Sequence, residues 1–145
     1  MITLALFRQL ALDLDDVLTK DEDLFWEEMP LQQNGKPANG VWLVTRGGSS
    51  ENSPKGLNLK TTIDFYVAFA NKVKTEHVHG LILDWLIANP CFCELSGSVS
   101  GTTYSYEYSN VRVRPTTTPQ NDGVTENGLI VKIASAQVIY DQIKV

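Results

Sequence analysis

Residues 60–70 read KTTIDFYVAFA, and the reading of this stretch decides the fold class. Ile63, Phe65, Val67 and Phe69 alternate with Thr62, Asp64, Tyr66 and Ala68. That period of two sends successive side chains to opposite faces of a sheet. One face is wholly apolar and the other mixed, so the segment predicts a strand with one side in a core. Upstream, VWLVTR at 41–46 is a second β-rich run, bounded by Gly40 and by Gly47 and Gly48. The polar stretch RGGSSENSPKGLN between the two strands is too long for a tight turn, and its composition predicts a mobile loop near 47–58.

Working outward, residues 2–18 carry Leu4, Phe7, Leu10 or Ala11, Leu14, and Val17 or Leu18 at spacings of three and four. This is the stripe of an amphipathic helix, with Arg8, Gln9, Asp13 and Asp16 mostly opposite. Residues 20–40 have no sustained period and read as a long connection, with Phe25 and Trp26 tucked against the body. A second helix is expected over 76–88, capped by Thr75, buried along Val78, Leu81, Ile82, Trp85 and Leu86, and stopped by Asn89 and Pro90. Gly80 costs that helix about 1 kcal/mol against alanine, and close packing on the sheet is the expected compensation. Residues 99–114 read as a strand with Tyr104, Tyr106 and Tyr108 on one face. The apolar phase then slips to Val111 and Val113, which predicts a bulge or bend near Ser109 and Asn110. A mobile loop near 115–128 leads to a last strand over 129–140. The order α-β-β-α-β-β predicts an α+β fold: one domain spanning 1–145, with a mostly antiparallel sheet and two helices packed on one face.

The 145 residues carry a net charge of −5. A nucleic-acid binder needs a basic patch to displace counterions from phosphates, yet the densest basic stretch is Arg112 and Arg114. Non-specific DNA or RNA binding is therefore not expected. Arg8 and Gln9 interrupt the apolar start, which argues against a secretory signal, and no run approaches the ~18 apolar residues of a membrane span. Cys91 and Cys93, one residue apart, cannot form a relaxed bridge with each other and are read as reduced thiols.

Two constellations could carry chemistry. Asp13, Asp15 and Asp16 in DLDDV resemble the first motif of haloacid-dehalogenase-type phosphatases, which implies a magnesium-dependent nucleophile at Asp13 and a proton-handling Asp15. The segment fits helical spacing better than a strand, so a solvated acidic helix end is the preferred account. His77, His79, Cys91 and Cys93 supply zinc-type ligands. Residues two apart on a helix point about 200° apart, however, so exposed histidines and small buried cysteines are expected instead. The sequence assembles no nucleophile, base and oxyanion site, and neither an enzyme nor a cofactor is expected.

The helix, the polar connection, GVWLVTRGG at 40–48, a mobile loop and TIDFYV at 62–67 together resemble tail terminator proteins of long-tailed bacteriophages. The second helix and two closing strands continue the same order over most of the chain. The resemblance implies a small α+β protein forming a homo-oligomeric ring, commonly a hexamer, made in the host cytoplasm and residing in the virion tail. Its partners would be the tail tube protein and the head–tail connector, and the acidic balance of the chain suits a ring through which viral DNA slides without specific binding. Ring or tube contacts are then expected at Arg46, Gly47, Gly48 and Lys55, at Arg112 and Arg114, and at Asn121 and Asp122. Another head–tail joining protein, the phosphatase, and a monomeric adaptor or antitoxin-like module are the alternatives.

Overall fold

The computed structural model describes residues 2–19, 22–26, 32–33, 36–37, 39–48, 57–96, 106–116, 123–124 and 130–144. In chain order these form helix α1 (Ile2–Asp13) and strands β1 (Leu24–Trp26), β2 (Gln32–Gln33), β3 (Lys36–Pro37), β4 (Gly40–Gly48) and β5 (Leu59–Phe69). Helix α2 (Lys72–Ala88) and strands β6 (Cys91–Ser96), β7 (Tyr106–Thr116), β8 (Gly123–Val124) and β9 (Ile130–Lys144) follow. The fold is mixed α+β. Six strands run in the order β1-β4-β5-β9-β7-β6, and β8 adds a short pairing to β9. All pairings in this sheet are antiparallel except that of β1 with β4. The short strands β2 and β3 pair with each other. Helix α1 touches β1 and β4 near one end of the strand order and β6 at the other, so the sheet curls enough to bring both margins to one helix.

Without the two-residue strands the order is α-β-β-β-α-β-β-β, not the expected α-β-β-α-β-β. The two additional strands, β1 and β6, carry weak local signals. β1 is only three residues long, and β6 leaves Cys91, Cys93 and Glu94 exposed, with no alternation to detect. Both are held by their neighbours: Leu24, Phe25 and Trp26 lie in register with Val41, Trp42 and Leu43, and β6 with β7.

The core forms where the alternation predicts it. Ile63, Phe65, Val67 and Phe69 of β5 share one buried cluster with Leu4, Phe7 and Leu10 of α1 and with Val78, Ile82, Trp85 and Leu86 of α2. Burying each such large side chain is worth about 1.5–3 kcal/mol. On the other side of the sheet, Trp42 and Ala68 are buried beside Phe25, Val44, Tyr66 and Val131. Phe25 stacks on Trp42 with ring centroids 5.2 Å apart.

Helix α1 is more deeply set than an amphipathic stripe requires. All of Ile2 to Phe7 is buried, more than a full turn, including Thr3, whose hydroxyl lies 2.6 Å from that of Thr45. The helix ends at Asp13, short of the expected Leu18, although the Leu18 N–H still bonds the Leu14 carbonyl at 2.8 Å. Acidic groups at 13, 15 and 16 oppose the negative end of the helix dipole, which favours this early end. Helix α2 begins a turn earlier than expected. Asn71 caps it by accepting from the Val73 and Lys74 N–H groups at 2.8 and 3.3 Å. Thr75 is not the cap: it is buried, and its hydroxyl reaches the carbonyls of Asn71 and Ile130 at 3.1 and 3.2 Å. The helices are joined by the Trp85 indole N–H, which donates to Asp13 Oδ2 at 2.8 Å. Gly80 does not serve close packing. A Cβ built there meets nothing within 4 Å.

Candidate functional site: a basic end of the sheet

Two β-bulges build the surface on which the sequence-flagged arginines gather. In the first, Thr45 pairs with Ile63 and Gly47 with Thr62, so Arg46 is the extra residue of β4. A bulge re-aims its side chain, and Arg46 Nε lies 3.2 Å from Asp64 Oδ2. Asp64 is only 5% exposed, and its other oxygen accepts from the Ser135 hydroxyl at 2.6 Å. A buried carboxylate is tolerated when it is paired and hydrogen-bonded, and these two partners do that.

In the second bulge, Ser109 pairs with Asp141 and Arg112 with Ile139, which leaves Asn110 and Val111 opposite Tyr140 alone. The phase slip from Tyr108 to Val111 and Val113 predicts a bulge or bend here, and the register shows the bulge. Asn110 takes a φ of 50°, a left-handed conformation that asparagine tolerates better than most side chains. The result is that Tyr108, Val111 and Val113 are all buried.

Asn58, the other left-handed asparagine (φ 53°), faces the same spot. Its N–H donates to Asp141 Oδ1 at 2.8 Å, and the Asn110 amide donates to Asp141 Oδ2 at 3.0 Å. Arg112 Nη2 donates to Asn58 Oδ1 at 2.8 Å. These four residues, with Cys91, Phe92 and Cys93, line a pocket of about 410 Å³. The Asn58 N–H holds the Asp141 carboxyl below its ordinary value of 3.8, with further help from the Asn110 amide and the Arg112 charge against a small desolvation penalty.

Register then aligns the cations. Arg112, Ile139 and Lys60 form one cross-strand row, and Arg114, Gln137, Thr62 and Gly47 form the next. At about 4.8 Å per strand, Gly47 and Arg114 are about 15 Å apart. Arg46, Lys60, Arg112 and Arg114 are exposed, so one end of the sheet gathers cations from β4, β5 and β7 on an otherwise acidic chain.

Of the residues flagged for contacts, Arg46, Gly47, Arg112 and Arg114 fall in these two rows or at their margin, and Gly48 pairs with Thr61 just beyond. Gly47 and Gly48 close β4, while Pro115 and Thr116 close β7, so both strands run into the segments expected to be loops. Lys55, Asn121 and Asp122 lie outside the described residues, as does most of both expected loops. Asp13 ends a helix, where its oxygens accept from Trp85 and, at 3.1 Å, from Gln9. Asp15 is exposed in the turn that follows.

The histidine and cysteine expectation is reversed in part. His79 is 5% exposed, its Nε2 3.4 Å from the Ile133 carbonyl, because it shares the buried face of α2 with Thr75 and Ile82. His77 is exposed as expected. Cys91 and Cys93 are exposed because β6 lies at the sheet margin. Among the described residues, no three His, Cys, Asp or Glu side chains gather as a metal site.

Sequence reasoning missed Asn58, Lys60 and Asp141 as members of the site. The only local signal was the phase slip at Asn110; Asp141 draws its partners Asn110 and Asn58 from 31 and 83 residues away in sequence. The chain matches no protein-family model and no curated protein sequence. No described helix is long and apolar enough to cross a membrane.

Proposed function

We propose that this chain is a structural assembly subunit, a bacteriophage tail terminator. Its copies close into a ring, commonly of six, that caps the tail tube, stops its polymerisation and meets the head connector. In this reading both helices pack on one face of the sheet and leave the other for neighbouring subunits. Viral DNA passes through the lumen without specific binding, and the protein resides in the virion tail.

The observation that carries the reading is a row of exposed cations: Lys60, Arg112 and Arg114 align at one end of the sheet in a chain of net charge −5, while the neighbouring carboxylates Asp64 and Asp141 are engaged by Arg46, Ser135, Asn58 and Asn110. A ring is built from heterologous contacts, in which one patch meets a different patch on the next copy. Complementary charge gives such contacts their register and orientation. The resemblance of GVWLVTRGG and TIDFYV to the tail terminator family points the same way.

The test is native mass spectrometry over a concentration series, with negative-stain images, alone and with purified tail tube protein. A closed ring of six copies, and tubes that stop elongating when the protein is added, are the expected results. A protein that stays monomeric with and without tube, and leaves tube growth unchanged, would reject the reading.

A further inference from the structure

The basic end of the sheet has a counterpart on the same molecule. Asp13, Asp15, Asp16 and Glu22, all exposed, cluster in sequence at and after the C-terminus of α1. The negative end of the helix dipole adds to their field. Beside them Arg8, Ala11, Leu12, Asp15, Leu18 and Thr19 line an open groove of about 430 Å³. Leu12 projects there with 71% of its surface exposed, an apolar knob among carboxylates. Beyond the β6 margin, the pocket beside Arg112 offers a space of about 410 Å³ lined also by Cys91, Phe92 and Cys93, with the Phe92 ring itself turned to Trp85.

We infer that the acidic end of α1 in one copy of this chain docks on the basic end of the sheet in the next. Asp15 and Asp16 face Lys60, Arg112 and Arg114, and Leu12 enters the pocket beside Arg112. The occupant is a second copy because the chain itself carries the complementary charge beside an exposed apolar side chain, Leu12. α1 packs in the core cluster with Ile63 and Phe65, while the cations lie with Asp64 on the alternate positions of the sheet. The two patches are different surfaces of one molecule, so a contact of one with the other on the next copy is heterologous, as a ring requires. Closure into a ring rests on the function proposed above; the pairwise contact does not.

The test uses charge reversal in the full chain. Lys60→Glu with Arg114→Glu reverses the basic end while leaving the Asn58, Asn110, Arg112 and Asp141 network intact. Asp15→Lys with Asp16→Lys reverses the acidic end. All four side chains are exposed, so both variants should fold with unchanged circular dichroism. At low ionic strength each variant alone should self-associate at least ~10-fold more weakly than the parent. An equimolar mixture should recover parental assembly, because reversed face meets reversed end and native face meets native end in alternating copies. If each variant assembles as the parent does, or the mixture fails to recover, the contact is wrong while the ring stands. A parent that is monomeric under all conditions, tube protein included, rejects both. Retention of duplex DNA by the parent through Lys60 and Arg114, in place of self-association, overturns the choice of occupant.

Discussion

Gly40 has a φ of 157°, and a Cβ placed there would lie 2.7 Å from the Asp23 carbonyl oxygen. That carbonyl accepts from the Val41 N–H at 2.8 Å, next to the parallel pairing of β1 with β4. Gly40→Ala should therefore push β1 away and cost about 1–3 kcal/mol, read as a lower urea midpoint. Gly80 is the opposite case. It sits within α2 with open space where a side chain would go, so Gly80→Ala should stabilise by up to about 1 kcal/mol and raise the melting temperature by about 3 °C. Asp141 links a single residue to pH. Its carboxyl is held below the ordinary value, chiefly by the Asn58 N–H, so the folded state binds the proton less readily than the unfolded chain. The resulting stability is fully present above 3.8 and is lost as pH falls through the lower folded value. Asp141→Asn should lower stability at neutral pH, and the gap to the parent should close in strong acid. A gap of equal size at both ends of a pH series of denaturation curves would contradict this.

Elements differ in how far their own residues announce them. β5 was legible because its two faces differ sharply, and the register puts Ile63, Phe65 and Val67 in the core as the alternation predicts. The bulge in β7 was legible from one slipped position. Helix α2 was legible in its stripe but not in its start, since Asn71 and Thr75 are both good capping residues. Asn71 caps because Thr75 already lies within the helix, its N–H bonded to the Asn71 carbonyl, and its hydroxyl reaches the carbonyls of Asn71 and of Ile130 in β9. Asn71→Ala should accordingly cost about 1 kcal/mol, measured by chemical denaturation, while Thr75 substitutions act through the helix–sheet contact. β1 and β6 were not legible, because three residues or an exposed margin give no period, and pairing partners decide them. The candidate site divides in the same way. Arg112 and Arg114 stand out in the sequence, but the alignment of Arg112 with Lys60 and its proximity to Asp141 depend on register across β9.

At the scale of the molecule, exposed carboxylates gather at the end of α1 and exposed cations at one end of the sheet. Exposed charges interact over about 10 Å at 0.1 M salt, so self-association through these ends should weaken steadily as salt is raised. Sedimentation at increasing ionic strength measures this, and association that strengthens with salt would point to an apolar interface. The sheet also sets the timing of its own completion. β5 is paired on one side by the adjacent β4, but its other edge waits for β9. The nearest contact on that edge, Phe69 with Ile130, lies about 60 residues downstream, which at ribosomal speed is about 3–12 s of synthesis. Throughout that interval a hairpin bearing Ile63, Phe65 and Val67 stands with one edge unpaired, so the nascent chain is a natural client for chaperones until β9 emerges.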